Sequence, residues 1–299
     1  MTLFDPPDDA VVDPGAYGHP PTEPSTPPSP ADPPARVRLR LTVAYDGSGF
    51  HGFAAQPGQR TVAGELTRAL SRTLRQPVEL TCAGRTDTGV HASGQVVHAD
   101  VVGPVDTAAV VKAANAQLGP AIVVREAALA PDGFDARRSA RARRYRYLVL
   151  EAATGDPLLA PLAWHVRDRL DLRAMANGAD GLLGEHDFRA FCRRAPGAAA
   201  DAPIVRRVLD ARWREVAWSG GGLAAGSRLL RFDIVATSFC HQMVRSVVGT
   251  LTDVGRGRRR AADVVFMLRS GDRSRGVTLA PPHGLCLLAV DYGPDDPGP

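Results

Sequence analysis

The order of hydrophobic patterns along the 299 residues predicts an α+β fold built from two similar halves. Residues 37–45 alternate apolar with polar or small side chains, which is the period of a half-buried strand. Apolar residues then recur at four-residue steps over 62–74, a spacing typical of an amphipathic helix. A second series of strand and helix patterns follows residue 140. We therefore expect two ferredoxin-like βαββαβ-type halves that form a mostly antiparallel sheet with its helices on one face.

The first half, residues 36–140, continues with three strand patterns and a second helix pattern. Thr61 stands directly before the helix at 62–74 and is expected to be its N-cap, because a Thr oxygen can accept from a free backbone N–H. The other elements of this half are expected at 78–83, 95–101 and 122–128 as strands, and from Asp106 to about Leu118 as a helix.

The second half, residues 141–293, resembles the first half in kind. We place the boundary between an N-terminal and a C-terminal α+β domain near residue 140. The elements of the second half are expected at 143–150, near 205–217, near 228–237 and at 285–291 as strands, and from Asp171, from Phe239 to Val254 and at 261–269 as helices.

The two ends of the chain differ from this folded part. Residues 1–35 hold eleven of the 25 prolines and six acidic residues but no Lys or Arg, so we expect a disordered acidic tail. Residues 294–299 are expected to be a second disordered end. No apolar run approaches the ~18 residues that a membrane span requires, and a signal-peptide pattern is absent. These features predict a cytoplasmic protein without a membrane segment.

Positive charge is concentrated outside the acidic tail. There, 36 basic residues stand against 26 acidic ones, which is a net charge of +10 and attracts a polyanion. All the basic residues except Lys112 are arginines, whose guanidinium groups suit contacts with phosphates and bases. A GC-rich coding bias also replaces Lys by Arg, so the preference for arginine alone does not identify a partner.

The cysteines and histidines show no spacing typical of a metal site. No C-x-x-C pair is present, which argues against a disulfide framework and a thiolate zinc site, and favours a reducing compartment. No H-E-x-x-H spacing is present either, and residues 185–187 look more like the start of a helix. We therefore expect no metal. The four cysteines are Cys82, Cys192, Cys240 and Cys286.

A polar segment with two glycines, residues 84–92, lies between two apolar strands. It contains Asp87, and catalytic groups often lie on such loops. A carboxylate beside glycine also occurs as a turn residue that caps its own backbone, so Asp87 needs other groups near it.

Two further segments supply cationic candidates. His241 and Arg245 are four residues apart, and the expected helix would place them on one polar side, although such an Arg can simply be solvated. Residues 137–146 contain six arginines, and Tyr145 and Tyr147 share one strand face. This pattern fits a surface that binds phosphates and stacks bases, or an exposed cationic strand with tyrosines in the core. The basic run 256–260 favours nucleic acid.

Four segments in order resemble the tRNA pseudouridine synthases of the TruA type. The similarity extends from about Val37 to Tyr292. Three departures are Thr88, where Ala is common, Phe53-Ala54 in place of the usual Trp-Gln, and the acidic Pro-rich tail, which is an addition. The four segments are Tyr45–Phe53, Gly84–Asp87 through Gln95 and His98, Arg143–Tyr147, and Ser238–Arg245 with Gly249.

The resemblance implies a pseudouridine synthase fold with a catalytic cleft between the halves. It implies that Asp87 is catalytic, that Tyr145 lies against the target base and that Arg245 pairs with Asp87. It also implies a homodimer that binds tRNA across both subunits and isomerises uridines at positions 38 to 40 of the anticodon stem-loop. The candidates for binding RNA are Arg85, Tyr45, Arg143, Arg144 and His241.

The chemistry explains why a carboxylate and a guanidinium are needed together. The isomerisation involves no redox change, so no cofactor is expected, and an Asp side chain is already ionised near neutral pH. Burial beneath an everted base could raise the pKa of Asp87 by ~3–5 units. An Arg about 4 Å away contributes ~4 kcal/mol at a dielectric near 20, which roughly cancels that shift.

Two other classes of function were weighed against the isomerase. A non-catalytic RNA-binding module would use the arginines and tyrosines but would not need Asp87. An aspartic protease is suggested by Asp87-Thr88-Gly89, whose family pairs two carboxylates that share a proton. The chain has no second Asp-Thr-Gly, and the adjacent Arg85 opposes proton sharing. The protease is therefore disfavoured.

Overall fold

A computed structural model describes residues 35–194, 197, 199, 202–272 and 276–294. The acidic tail expected over 1–35 and the end expected over 294–299 lie outside these residues, apart from Ala35 and Pro294.

Ten strands and five α-helices form within the described residues. All the helices and long strands expected from the sequence are present, so the α+β prediction is confirmed. In chain order the elements are β1 (Arg36–Tyr45), α1 (Val62–Leu74), β2 (Thr81–Cys82), β3 (His91–Val102), α2 (Thr107–Leu118), β4 (Ile122–Leu129), β5 (Ala142–Glu151), β6 (Trp164–Val166), α3 (Leu172–Asp180), β7 (Gly184–Asp187), β8 (Val205–Val216), β9 (Arg228–Ala236), α4 (Met243–Gly255), α5 (Ala261–Ser270) and β10 (Leu285–Asp291).

The strands form one sheet in the order β4-β1-β3-β10-β5-β9-β8-β7. Neighbours along this path are antiparallel except β10 and β3; β2 pairs antiparallel with β3, and β6 parallel with β5. The last strand therefore lies between the two halves and joins them. A single buried cluster includes one side chain or more from every helix, such as Leu66, Val110, Met175, Val247 and Met267.

Short-range capping sets the start of three helices. Thr61 Oγ1 accepts from the backbone N–H of Gly64 at 3.2 Å, as expected for the N-cap of α1. Asp106 and Asp171 do the same for α2 and α3, at 3.0 and 2.9 Å. These starts are visible in the sequence because the capping residue lies three positions from the N–H that it binds.

Three local predictions are wrong. Helix α4 begins at Met243 and not at Phe239, because Gln242 has a left-handed backbone (φ 64°) that interrupts helical geometry. His241 therefore precedes the helix. Residues 185–187 belong to strand β7, where they pair with β8, and do not start a helix. The strand expected at 78–83 is reduced to Thr81–Cys82.

The expectation about cysteines is also wrong for one pair. Cys192 and Cys240 form a disulfide, with their Cα atoms 5.8 Å apart across a sequence separation of 48. Cys82 and Cys286 are free. Spacing along the chain carries no information about such a contact, because it arises from the packing of the segment after β7 against the segment before α4.

No helix among the described residues has the length and apolar character that crossing a bilayer requires.

Candidate active site

Asp87 lies in the loop between β2 and β3, and a tight turn fixes its backbone. The N–H of Val90 donates to the carbonyl of Asp87 at 3.1 Å, and Gly89 supplies the positive φ of 77° that the turn requires. The Asp87 side chain is 23% exposed. Its carboxylate is thus accessible from solvent while its backbone is held.

The glycine-rich segment after β1 supports this loop by close backbone contact. A Cβ atom at Gly47 would collide with the carbonyl of Val90. A Cβ at Gly52 would lie 3.0 Å from the carbonyl oxygen of Thr86, and Gly52 also has a φ of 87°. The N–H of Phe53 donates to that same oxygen at 3.1 Å. Glycine is required at these two positions because the two backbones approach each other directly.

Buried polar side chains hold the loop from the core. The hydroxyl groups of Tyr45 and Thr86 are 2.8 Å apart, and Gln95 Nε2 donates to the carbonyl of Gly84 at 2.6 Å. Burial raises the pKa of Tyr45. The sequence makes Tyr45 a candidate for binding RNA, but its side chain is buried and its hydroxyl contacts the loop from the protein core. In the sequence, Gln95 stands out only as part of a motif, whereas in the structure its side chain supports the start of the Asp87 loop.

Two side chains from the second half reach the Asp87 carboxylate. Arg245 Nη1 lies 3.3 Å from Asp87 Oδ2, and His241 Nε2 lies 3.5 Å from Oδ1. The main chain of Ala280 fixes Arg245, because its carbonyl accepts from Nε at 2.8 Å and its N–H donates to the Arg245 carbonyl at 3.1 Å. The structure thus brings the three predicted residues together.

Tyr145 lies on the buried face of β5, close to this group. Its ring meets Phe239 edge-on, with the ring centres 5.0 Å apart and the planes at 85°. Burial raises the pKa of Tyr145, and the neighbouring Tyr45 and Asp87 raise it further. The phenol is therefore neutral across the physiological pH range.

Arg143 is buried and does not present its guanidinium to solvent. It donates to four backbone carbonyls from the start of the Asp87 loop, the connection between the halves and the end of β9, and burial lowers its pKa. The prediction that it binds RNA is not supported by this position. The four acceptors are Ala83 (2.9 Å), Arg137 (2.8 Å), Ala140 (3.1 Å) and Thr237 (2.7 Å).

The other predicted RNA-binding arginines are exposed. Arg85 extends from the loop beside Asp87, and Arg144 lies on the face of β5 opposite Tyr145. The exposed arginine of β5 thus lies on the face opposite the two tyrosines, which favours the alternative of a cationic strand with core tyrosines. In the basic run 256–260, Arg256 pairs with Asp168 at 2.7 Å.

The described residues contain no group of three or more His, Cys, Asp or Glu side chains arranged to hold a metal ion.

The fold and the site together define an α+β protein with one carboxylate between two basic side chains, at the junction of two halves of a sheet. The family model described as "tRNA pseudouridine synthase" matches residues 41–137 and 179–293. The chain therefore belongs to the tRNA pseudouridine synthase family, a family of isomerases, and the resemblance inferred from the motifs is confirmed.

Individual relatives agree with the family model. The chain is 45% identical over 263 residues to the tRNA pseudouridine synthase A of Frankia casuarinae, covering 87% of this chain and 90% of that protein. It is 44% identical to the protein of the same name from Methylobacterium sp. (strain 4-46), covering 88% and 99%. A Mycobacterium leprae protein of that name is 40% identical, covering 87% and 91%.

Proposed function

We propose that this chain converts uridine to pseudouridine in tRNA and that Asp87 carries the reaction. The observation that supports this most directly is the Asp87 carboxylate, which lies between Arg245 and His241 in a loop fixed by buried contacts. In a family of pseudouridine synthases, a single partly exposed carboxylate held in this way is the best candidate for the reacting group.

The reaction requires little beyond this carboxylate. The bond between the ribose C1′ and N1 of uracil breaks, the ring turns, and C1′ bonds to C5, while the proton on C5 is lost and N1 gains one. The atoms and electrons balance without an oxidant, a reductant or another substrate. Asp87 can attack or stabilise either the sugar or the base. Arg245 favours the ionised carboxylate when an everted base excludes water from it.

Tyr145 is proposed to lie against the detached uracil. Its neutral ring can stack on a base, which contributes ~1–3 kcal/mol, and Phe239 holds the ring edge-on from behind. Tyr45 and Arg143 are proposed to act by positioning the loop instead of by contacting RNA, since the contacts of both side chains lie within the protein.

The N-terminal domain at 36–140 then contributes Asp87, and the C-terminal domain at 141–293 contributes Tyr145, His241 and Arg245. The finer expectations belong to the same proposal: action on uridines 38, 39 or 40 of the anticodon stem-loop, a homodimer that binds tRNA with both subunits, and a cytoplasmic location. They are supported by the family resemblance and by the net charge of +10 outside the acidic tail.

The test is incubation of the protein with an unmodified tRNA transcript, followed by carbodiimide labelling and primer extension. Wild-type protein is expected to give stops next to modified uridines, and Asp87→Asn is expected to bind tRNA but give none. If Asp87→Asn retains full activity, another group carries the chemistry. If wild-type protein binds tRNA and leaves it unmodified, the chain is a non-catalytic RNA-binding module.

A further inference from the structure

A cavity of about 370 Å³ lies beside the Asp87 site, within the ~300–1,000 Å³ typical of ligand pockets. We call it the arginine pocket. His241 belongs both to its wall and to the Asp87 site, where its Nε2 lies 3.5 Å from the carboxylate. The pocket and the site are therefore adjacent. The described lining residues are Arg193, Arg194, Ala202, Ile204, Arg206, Cys240 and His241.

The charges of the described part of the pocket wall are positive. Three guanidinium groups line it, and none of the described lining residues is acidic. Within the described part of the chain, no carboxylate forms an ion pair with Arg193, Arg194 or Arg206. Two partly buried arginines elsewhere in the protein do have such partners: Arg228 pairs with Glu151, and Arg256 with Asp168. The arginine pocket is thus a concave site that attracts an anion.

Arg206 is the most constrained of the three. Its side chain is partly buried, Nη1 donates to the carbonyl of Val205 at 2.6 Å, and Nε is buried without a partner among the described residues. Burial lowers the pKa of Arg206, and no carboxylate among the described residues opposes this effect. A guanidinium in this environment gains more from an incoming anion than a fully solvated one does.

The walls of the pocket are held in place before any ligand arrives. Arg194 donates to the carbonyl of Ala202 at 2.9 Å, and the N–H of Arg193 donates to the carbonyl of His241 at 3.0 Å. The disulfide between Cys192 and Cys240 joins the same two segments. The Arg194 side chain and the backbone that carries Arg193 are therefore positioned before binding, which reduces the entropy lost on binding.

We propose that the arginine pocket binds a phosphodiester of the RNA strand within two nucleotides of the uridine at Asp87. This inference rests on the proposed function and deepens it. A nucleotide that leaves the stack pulls its flanking phosphates towards the protein, and the planar fork of Arg matches the geometry of phosphate oxygens. The pocket would hold the strand while the base enters the Asp87 site.

The first experiment measures the affinity of the full chain for a tRNA transcript between 50 and 300 mM salt. Arg206→Gln is expected to weaken binding about 10-fold at low salt and to reduce the salt slope by ~0.7–0.9, the value for one phosphate contact. Arg206→Lys keeps the charge but not the fork, so its slope should stay near that of wild type while its affinity falls.

The matched control is Arg214→Gln. Arg214 is an exposed arginine on the same strand, roughly 26 Å further along β8 at ~3.3 Å per residue. It should leave the affinity nearly unchanged. Equal losses for Arg206→Gln and Arg214→Gln would overturn the proposal, because they would indicate general attraction by positive charge. Thermal unfolding of each variant distinguishes a lost contact from a lost fold.

The second experiment locates the phosphate. Ligated tRNAs each carry one uncharged methylphosphonate linkage within two nucleotides of the modified uridine, and their affinities are compared for wild type and Arg206→Gln. At one linkage, the neutral group should weaken binding to wild type about 10-fold and have little further effect in the variant. Additive losses at every linkage would overturn the proposal. Because only affinity is measured, this result can be obtained even if wild-type protein forms no pseudouridine, which would refute the proposed function separately.

Discussion

Both faces of strand β5 carry arginine, but the arginines of the two faces have different roles. On one face, Arg143, Tyr145 and Tyr147 are buried. On the other, Arg144 is exposed and Arg146 pairs with Asp233 at 2.8 Å. The buried face builds the site, because it holds the Asp87 loop and faces the carboxylate. The comparison shows that an arginine-rich strand cannot be interpreted from its composition alone, since alternation decides which guanidinium reaches solvent.

The largest expected effect on this comparison comes from Arg143→Leu. The substitution leaves four buried carbonyls without their donor, each costing ~1–3 kcal/mol where water cannot replace it. We expect the free energy of unfolding to fall by ~3–5 kcal/mol, measured by urea denaturation. Arg144→Leu, one residue away on the exposed face, should change it by less than ~0.5 kcal/mol. Similar losses in the two variants would show that the faces of β5 do not differ as described.

Arg245→Ala should have the next largest effect, and it should act on turnover. The substitution removes the cation 3.3 Å from Asp87, while the loop that carries Asp87 keeps its own supports. We expect kcat to fall by ~10²-fold, comparable with removing a group that stabilises charge in other active sites, and tRNA affinity to change much less. Single-turnover kinetics with saturating enzyme measure the rate, and filter binding measures the affinity. Unchanged turnover would show that the ion pair between Arg245 and Asp87 does not contribute to catalysis.

The fold could be predicted from the sequence wherever its causes are local. Thr61 and Asp106 cap helices through contacts three residues away. The alternation at 37–45 indicates which side chains of that strand are buried. Asp87 is a candidate because it lies in a polar, glycine-containing loop, and Arg245 because it is a cation on an amphipathic helix pattern, while their pairing is implied by the resemblance to a known family. The role of Arg143 was missed, although its position two residues before Tyr145 on the same strand face was a usable signal.

Other features of the site have no local cause. Gln95 contacts Gly84 across the turn, and the disulfide between Cys192 and Cys240 depends on the packing of two distant segments. The left-handed backbone of Gln242, which shortens α4 and releases His241 from the helix, occurs at a residue that gives no sign of it. Contacts of this kind are decided by tertiary packing, which periodicity and capping patterns do not describe.

A smaller effect on the free energy of unfolding should distinguish Tyr147 from Tyr145 on the buried face of β5. Tyr147 donates its hydroxyl hydrogen to the carbonyl of Pro281 at 2.7 Å, so Tyr147→Phe should lower the free energy of unfolding by ~1 kcal/mol. Tyr145 lies beside Asp87, so its hydroxyl is expected to matter for the reaction and not for stability. Tyr145→Phe should therefore alter the free energy of unfolding little and leave base stacking intact. Its turnover then tests proton relay directly, because full activity in Tyr145→Phe excludes that role. A loss of stability in Tyr145→Phe as large as in Tyr147→Phe would contradict the assignment.

The smallest expected effect belongs to the exposed face. Arg144 is solvated, so its contribution to RNA binding is limited to attraction of a phosphate, and Arg144→Gln should reduce the salt slope of tRNA binding by at most ~0.9 without changing kcat. Titration of tRNA at several salt concentrations measures the slope. The alternation of side chains along the strand places residue 144 on the face opposite Tyr145. A fall in kcat for Arg144→Gln would contradict the proposed site, because it would mean that the exposed face of β5 reaches the reacting base.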